Sequence, residues 1–209
     1  MASIIPAIIP SSFQHLQSEV EKVKDLVSLV QVDIADGLFV KNKTWPYVGD
    51  TGEFEKLTRE ELGLPFWEDV DYEFHLMIEN PQACIEDWIH AGASSIIVQI
   101  EARTDMESVI AMCKAAEVSF GLSLKPSTDI SKISPFVDKI DFLQCMGSND
   151  LGHHGATLDV SVYDKIKQLH TLYPNVPIAV DIGVSEETAP KFVAAGATKL
   201  VSGGAIFET

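Results

Sequence analysis

Val32-Asp33-Ile34-Ala35-Asp36-Gly37-Leu38-Phe39-Val40 reads as an apolar strand running into a carboxylate, with a second carboxylate and a glycine close behind. Parallel α/β folds place their chemistry at the carboxyl ends of buried strands. A second stretch of the same kind, Ile178-Ala179-Val180-Asp181-Ile182-Gly183, lies far downstream. Two strand-end aspartates, Asp33 and Asp181, suit a pair of acid/base groups facing one pocket. The competing reading is that each caps its own turn.

Working outward from these two stretches, short apolar runs alternate with amphipathic ones along the whole chain. Strands are expected near Ile4–Ile9, Val27–Ile34, Tyr72–Met77, Ser95–Ile100, Ser119–Leu124, Asp141–Met146, Pro177–Asp181 and Lys199–Ser202. Helical patterns run over Phe13–Val27 and Asp105–Ala116, and Pro81 opens another at a first-turn position that suits proline. This alternation predicts a single-domain (β/α)8 TIM barrel spanning residues 1–209, with a doubly wound open sheet as runner-up. The connection at about 41–71 is long and carries Trp45, Pro46, Tyr47, Gly49, Phe66 and Trp67. It is expected to be either a lid or a surface decoration with its own apolar cluster. Only seven residues follow the eighth strand, so a final covering helix is expected to be missing. Homo-oligomerisation, or a segment from 41–71, would then cover that flank.

The composition narrows the function. The chain has 209 residues, 46% hydrophobic and 22% charged, and a formal net charge of −16. That charge argues against nucleic acid as a partner, because phosphate backbones need clustered Lys and Arg. It also means that any phosphate must be held locally, by backbone N–H groups at a turn. No apolar run approaches a membrane span and Met1-Ala2-Ser3 lacks a basic leader, so a cytoplasmic protein without membrane contact is expected. Cys84, Cys113 and Cys145 form no C-x-x-C pair and read as reduced thiols.

Several motifs, in order, resemble the ribulose-phosphate 3-epimerase family. Val32–Asn42 is similar to its strand-two signature, H-x-D followed by x-M-D-G-H-F-V-P-N. His75-Leu76-Met77 with Asn80-Pro81 is similar to H-L-M…P. Gly121-Leu122-Ser123-Leu124-Lys125-Pro126-Ser127-Thr128 resembles G-x-x-L-x-P-x-T, and Asp181-Ile182-Gly183-Val184 resembles D-G-G-[IV]. Gly203-Gly204-Ala205-Ile206-Phe207 resembles G-S-A-[IV]-F. The resemblance implies an isomerase that inverts the carbon beside the ketone of a phosphorylated sugar. Asp33 and Asp181 would be its acid/base pair. A divalent metal would be held by Gln31, Asp33, His75 and Asp181. Met77 and Met146 would line the substrate, and Gly183, Gly203 and Gly204 would bind its phosphate.

The chain also departs from the pattern. Gln31 and Gln99 stand where the family has histidines, Ala7 where it has serine, Ala35 where it has methionine, and Ile182 where it has glycine. An amide oxygen is a weaker ligand than imidazole for zinc or iron, which points to a weakened metal site favouring a harder cation. The loop Gly147–Gly155 replaces the family's P-G-F-G-G-Q, and its adjacent His153 and His154 read as loop residues, of which at most one faces the site. Asp36-Gly37 reads as a turn. A decarboxylase on a related barrel would need a D-x-K-x-x-D array, and Asp33-Ile34-Ala35-Asp36 has no lysine. The alternative to the epimerase is a catalytically silent or repurposed barrel that binds a sugar phosphate or a protein partner.

Overall fold

The computed structural model describes residues 2–207. Eight parallel strands close into a barrel in chain order: β1 (Ser3–Ile8), β2 (Leu29–Ala35), β3 (Asp71–Met77), β4 (Ser95–Gln99), β5 (Ser119–Leu124), β6 (Phe142–Met146), β7 (Ile178–Asp181) and β8 (Lys199–Ser202). The helices are α1 (Phe13–Val23), α2 (Glu53–Thr58), α3 (Ile85–His90), α4 (Met106–Ala115), α5 (Ser161–Leu172), α6 (Ala189–Ala195) and α7 (Gly204–Phe207). No described helix is long and apolar enough to cross a membrane.

Local chemistry sets the helix ends. Ser12 precedes α1 and its hydroxyl accepts the amide of His15 at 3.1 Å; Asp105 does the same for Ser108 before α4, at 3.3 Å. Gly196 ends α6 with φ +117°, a conformation open to glycine. Between β5 and β6 the chain makes two 3₁₀ turns, Ile130–Ile133 and Val137–Lys139, instead of an α-helix.

Period-two alternation sorts each strand between two environments. Outward residues such as Val32, Phe74, Leu122 and Val180 pack with Leu16, Val20, Trp88, Ile166 and Phe192 of the helices in one continuous core. Inward residues are mixed. Ile5, Ala7, Ile97, Phe142, Ala179 and Val201 form an apolar plug, and Ala35, Met77 and Met146 join Val40 and Leu151 in a smaller cluster. Gln31, Asp33, Glu73, His75, Gln99, Ser123, Gln144 and Asp181 are buried polar or charged positions. On this inward set Glu73 pairs with Lys199 at 3.5 Å, and the lysine lies 3.9 Å from the centre of the Phe142 ring.

Two expectations need correction. A single helical turn, α7, follows β8, and the flank is not bare: Leu200 is 4% exposed, and Ile206 and Phe207 pack against the core. The segment at 41–71 does not cover that flank. It packs beside α1 and α3, where Trp45 is fully buried between Phe13, Phe54 and Trp88. It therefore has its own aromatic anchor, the decoration rather than the lid.

Candidate active site

The β2–β3 register sets Asp33 directly beside His75, and the β6–β7 register sets Met146 beside Asp181. All four residues point inward. His75 Nδ1 lies 2.9 Å from Asp33 Oδ1 and 3.7 Å from Asp181 Oδ2. One ligand atom from each of Asp33, His75 and Asp181 falls within 4.8 Å of the others, and all three residues are buried.

Gln31 lies among them with no exposure. Its Nε2 donates to Asp33 Oδ1 at 2.9 Å and to Asp181 Oδ2 at 3.3 Å, while its Oε1 has no partner. The four residues assigned to a metal therefore converge. The donor set fits a divalent ion: two carboxylates, one imidazole nitrogen and, after rotation of the amide, one otherwise orphaned carbonyl oxygen.

The electrostatics follow from crowding two acids into a dry place. Burial, then the negative charge of Asp33, pushes the Asp181 carboxyl well above the usual carboxylate range. For His75, burial acts to lower the pKa, but the hydrogen bond and charge of Asp33, with the charge of Asp181, outweigh it and raise it. His75 Nε2 meets Gln99 Nε2 at 2.8 Å, and Gln99 also donates to Ser123 Oγ at 3.0 Å. Gln99 Oε1 is orphaned, so a doubly protonated His75 would be matched by turning this amide over.

A cavity of about 200 Å³ opens above the cluster, and Asp33, Met77, Met146, Asp181, Gly183, Gly203 and Gly204 all line it. Gln31 and His75, both fully buried, are not among its lining residues. Asp36 is outside the cavity. Its Oδ1 accepts the amides of Leu38 and Phe39, and its Oδ2 that of Glu79, as expected of a turn former. Ser123 and Gln144 were not singled out from sequence, although two-residue alternation from Gly121 and from Phe142 leads to them. His153 and His154 both border the cavity, against the expectation that at most one would.

Solved structures share the fold at low identity. The 3-hexulose-6-phosphate synthase of Salmonella typhimurium superimposes with a TM-score of 0.71 at 15% identity, covering 99% of this chain and 91% of that one. A tryptophan synthase α-subunit from Pyrococcus furiosus gives 0.70 at 14%, covering 99% and 89%. The closer similarity is in sequence. Ribulose-phosphate 3-epimerase of Bacillus subtilis is 32% identical over 213 residues, covering 99% of this chain and 93% of that protein. The Schizosaccharomyces pombe enzyme of the same name is 30% identical over 208 residues, covering 99% and 87%. The sequence model of the ribulose-phosphate 3 epimerase family matches residues 3–207, and the chain belongs to that family.

Proposed function

We propose that the protein epimerises a phosphorylated ketose, ribulose 5-phosphate or a close relative, by moving a proton between two aspartates. The observation that carries this reading is the pair itself: Asp33 and Asp181 come from separate strands, share the imidazole of His75 and face one cavity. Inversion needs a base on one side of the carbon and an acid on the other. Two carboxyls this close in a buried site resist double ionisation, and the raised Asp181 supports one carrying the proton while the other accepts one. His75 holds both carboxyls in place. Met77 and Met146 supply apolar walls that keep water from the carbon, and backbone N–H groups at Gly183, Gly203 and Gly204 would hold the phosphate.

A divalent ion on Asp33, His75, Asp181 and Gln31 would supply positive charge to the developing enediolate oxygens. One observation favours the silent-barrel alternative. The Gln31 amide already donates to both carboxylates, so the two acids have a neutral partner without a metal. The deciding experiment follows exchange of the α-proton of ribulose 5-phosphate with deuterated solvent, with and without added divalent metals. Exchange is expected, and Asp33→Asn or Asp181→Asn should each lower it by about 10²–10⁴-fold with folding intact. No exchange by the unmodified protein under any metal would leave the silent barrel as the better account.

A further inference from the structure

We propose that His154 is the cationic clamp for the phosphate of the substrate; this rests on the phosphorylated-ketose reading above. The chain as a whole repels anions, with a net charge of −16. No lysine or arginine is among the residues lining the cavity. Its ionisable side chains are Asp33, Asp181, His153 and His154. Two of these repel a phosphate, so any side-chain charge that attracts it must come from the histidines.

The histidines are not equivalent. His153 is already committed, with Nε2 3.0 Å from Asp150 Oδ2 and Nδ1 2.9 Å from the carbonyl oxygen of His154. His154 has no side-chain hydrogen bond or ion pair among the described residues. Its ring lies against the glycine turn after β8: a methyl group placed on Gly203 would stand 3.0 Å from His154 Cε1 and 3.3 Å from Nδ1. The imidazole therefore forms a wall of the end of the cavity where Gly203 and Gly204 present their backbone. There an imidazole N–H would add to the amide contacts with a phosphomonoester. His154 would thus select phosphorylated over free ketoses, a role distinct from proton transfer at Asp33 and Asp181.

The test is calorimetric titration of the intact protein with inorganic phosphate, ribulose 5-phosphate and unphosphorylated ribulose. His154→Gln should weaken both phosphate ligands about tenfold, the loss of one charge-assisted hydrogen bond. His154→Lys should restore most of that binding, and neither variant should change the unfolding transition. In turnover the His154→Gln loss should fall mainly on KM. Phosphate binding that is absent from the unmodified protein, or equally tight in His154→Gln, would overturn the assignment. Because inorganic phosphate is read without turnover, the two readings fail separately. His154-dependent binding without proton exchange would keep the clamp and sink the epimerase. Exchange with unaltered KM in His154→Gln would do the reverse.

Discussion

At the residue scale, the site is defined by what burial does to charge. Asp181 and His75 both have raised pKa values in the fold. A group whose pKa is raised on folding stabilises the fold below its unfolded value and loses that contribution as pH climbs through the folded value. Both groups thus act in the same direction. The metal-free protein is expected to lose thermal stability from about pH 4 to about pH 7 as Asp181 titrates, and to go on losing it above the ordinary histidine value as His75 does. Asp181→Asn should flatten that slope, and saturating divalent metal, which binds deprotonated ligands, should reverse it. Melting curves that rise over the same range without metal would contradict this account. Ile182 offers a second test. It stands where the family has glycine, and its φ is +77°, a conformation that β-branched residues avoid. Such strain costs about 1–3 kcal/mol. Ile182 is half-buried, so its truncation starts below the roughly 2–5 kcal/mol usual for a fully buried isoleucine, and relief of the strain should bring Ile182→Gly close to neutral. Urea unfolding would measure it, and a loss within that usual range would show that packing outweighs strain.

At the element scale, the strands were legible and some connections were not. Ser119–Leu124 and Lys199–Ser202 are placed as expected, and the other strands differ by one or two residues at their ends. Buried parallel strands are apolar enough to announce themselves, whereas their ends depend on ladder partners that the sequence does not reveal. The helical reading after Pro81 resolves into a 3₁₀ turn at Pro81–Ala83 followed by α3. In the candidate site, Asp33 and Asp181 stand out in the sequence as strand-end carboxylates and His75 through the family resemblance, and the structure brings the three together. Gln99 was noted only as a lost histidine; its bond to His75 required the fold. His153 and His154 read from sequence as loop residues of which at most one faces the site; that His154 lies against Gly203, beyond β8, required the fold. The long connection shows how one side chain can fix an element. Trp45 is fully buried, and its indole Nε1 donates to Asp50 at 3.2 Å. Trp45→Ala should cost about 3–5 kcal/mol. Chemical denaturation would read this directly, and a loss under about 1 kcal/mol, the scale of a surface substitution, would mean the segment is anchored elsewhere.

At the scale of the whole molecule, self-association remains our proposal, and it rests on β1 instead of a missing helix. Ile4 points outward, is 60% exposed and is the register partner of Leu200. Ile4→Lys should shift an oligomer towards monomer in light scattering, and an unmodified protein that is monomeric at all concentrations would defeat the idea. The closed order of the strands carries a further consequence, for the time course of folding. Gln31 and Asp181, which meet by a hydrogen bond, are 150 residues apart in the chain. Asp33 and His75 sit on adjacent strands and can meet early, but Asp181 joins them only once β7 is in place, and β8 must then pair with β1 to close the ring. Contacts of such sequence separation form slowly. A nascent chain or a partial barrel would hold half a site: one carboxylate with its imidazole, and no partner for the proton. Catalytic competence would then arrive in the final kinetic phase of refolding, so that recovery of proton exchange reports ring closure more sharply than recovery of helical signal.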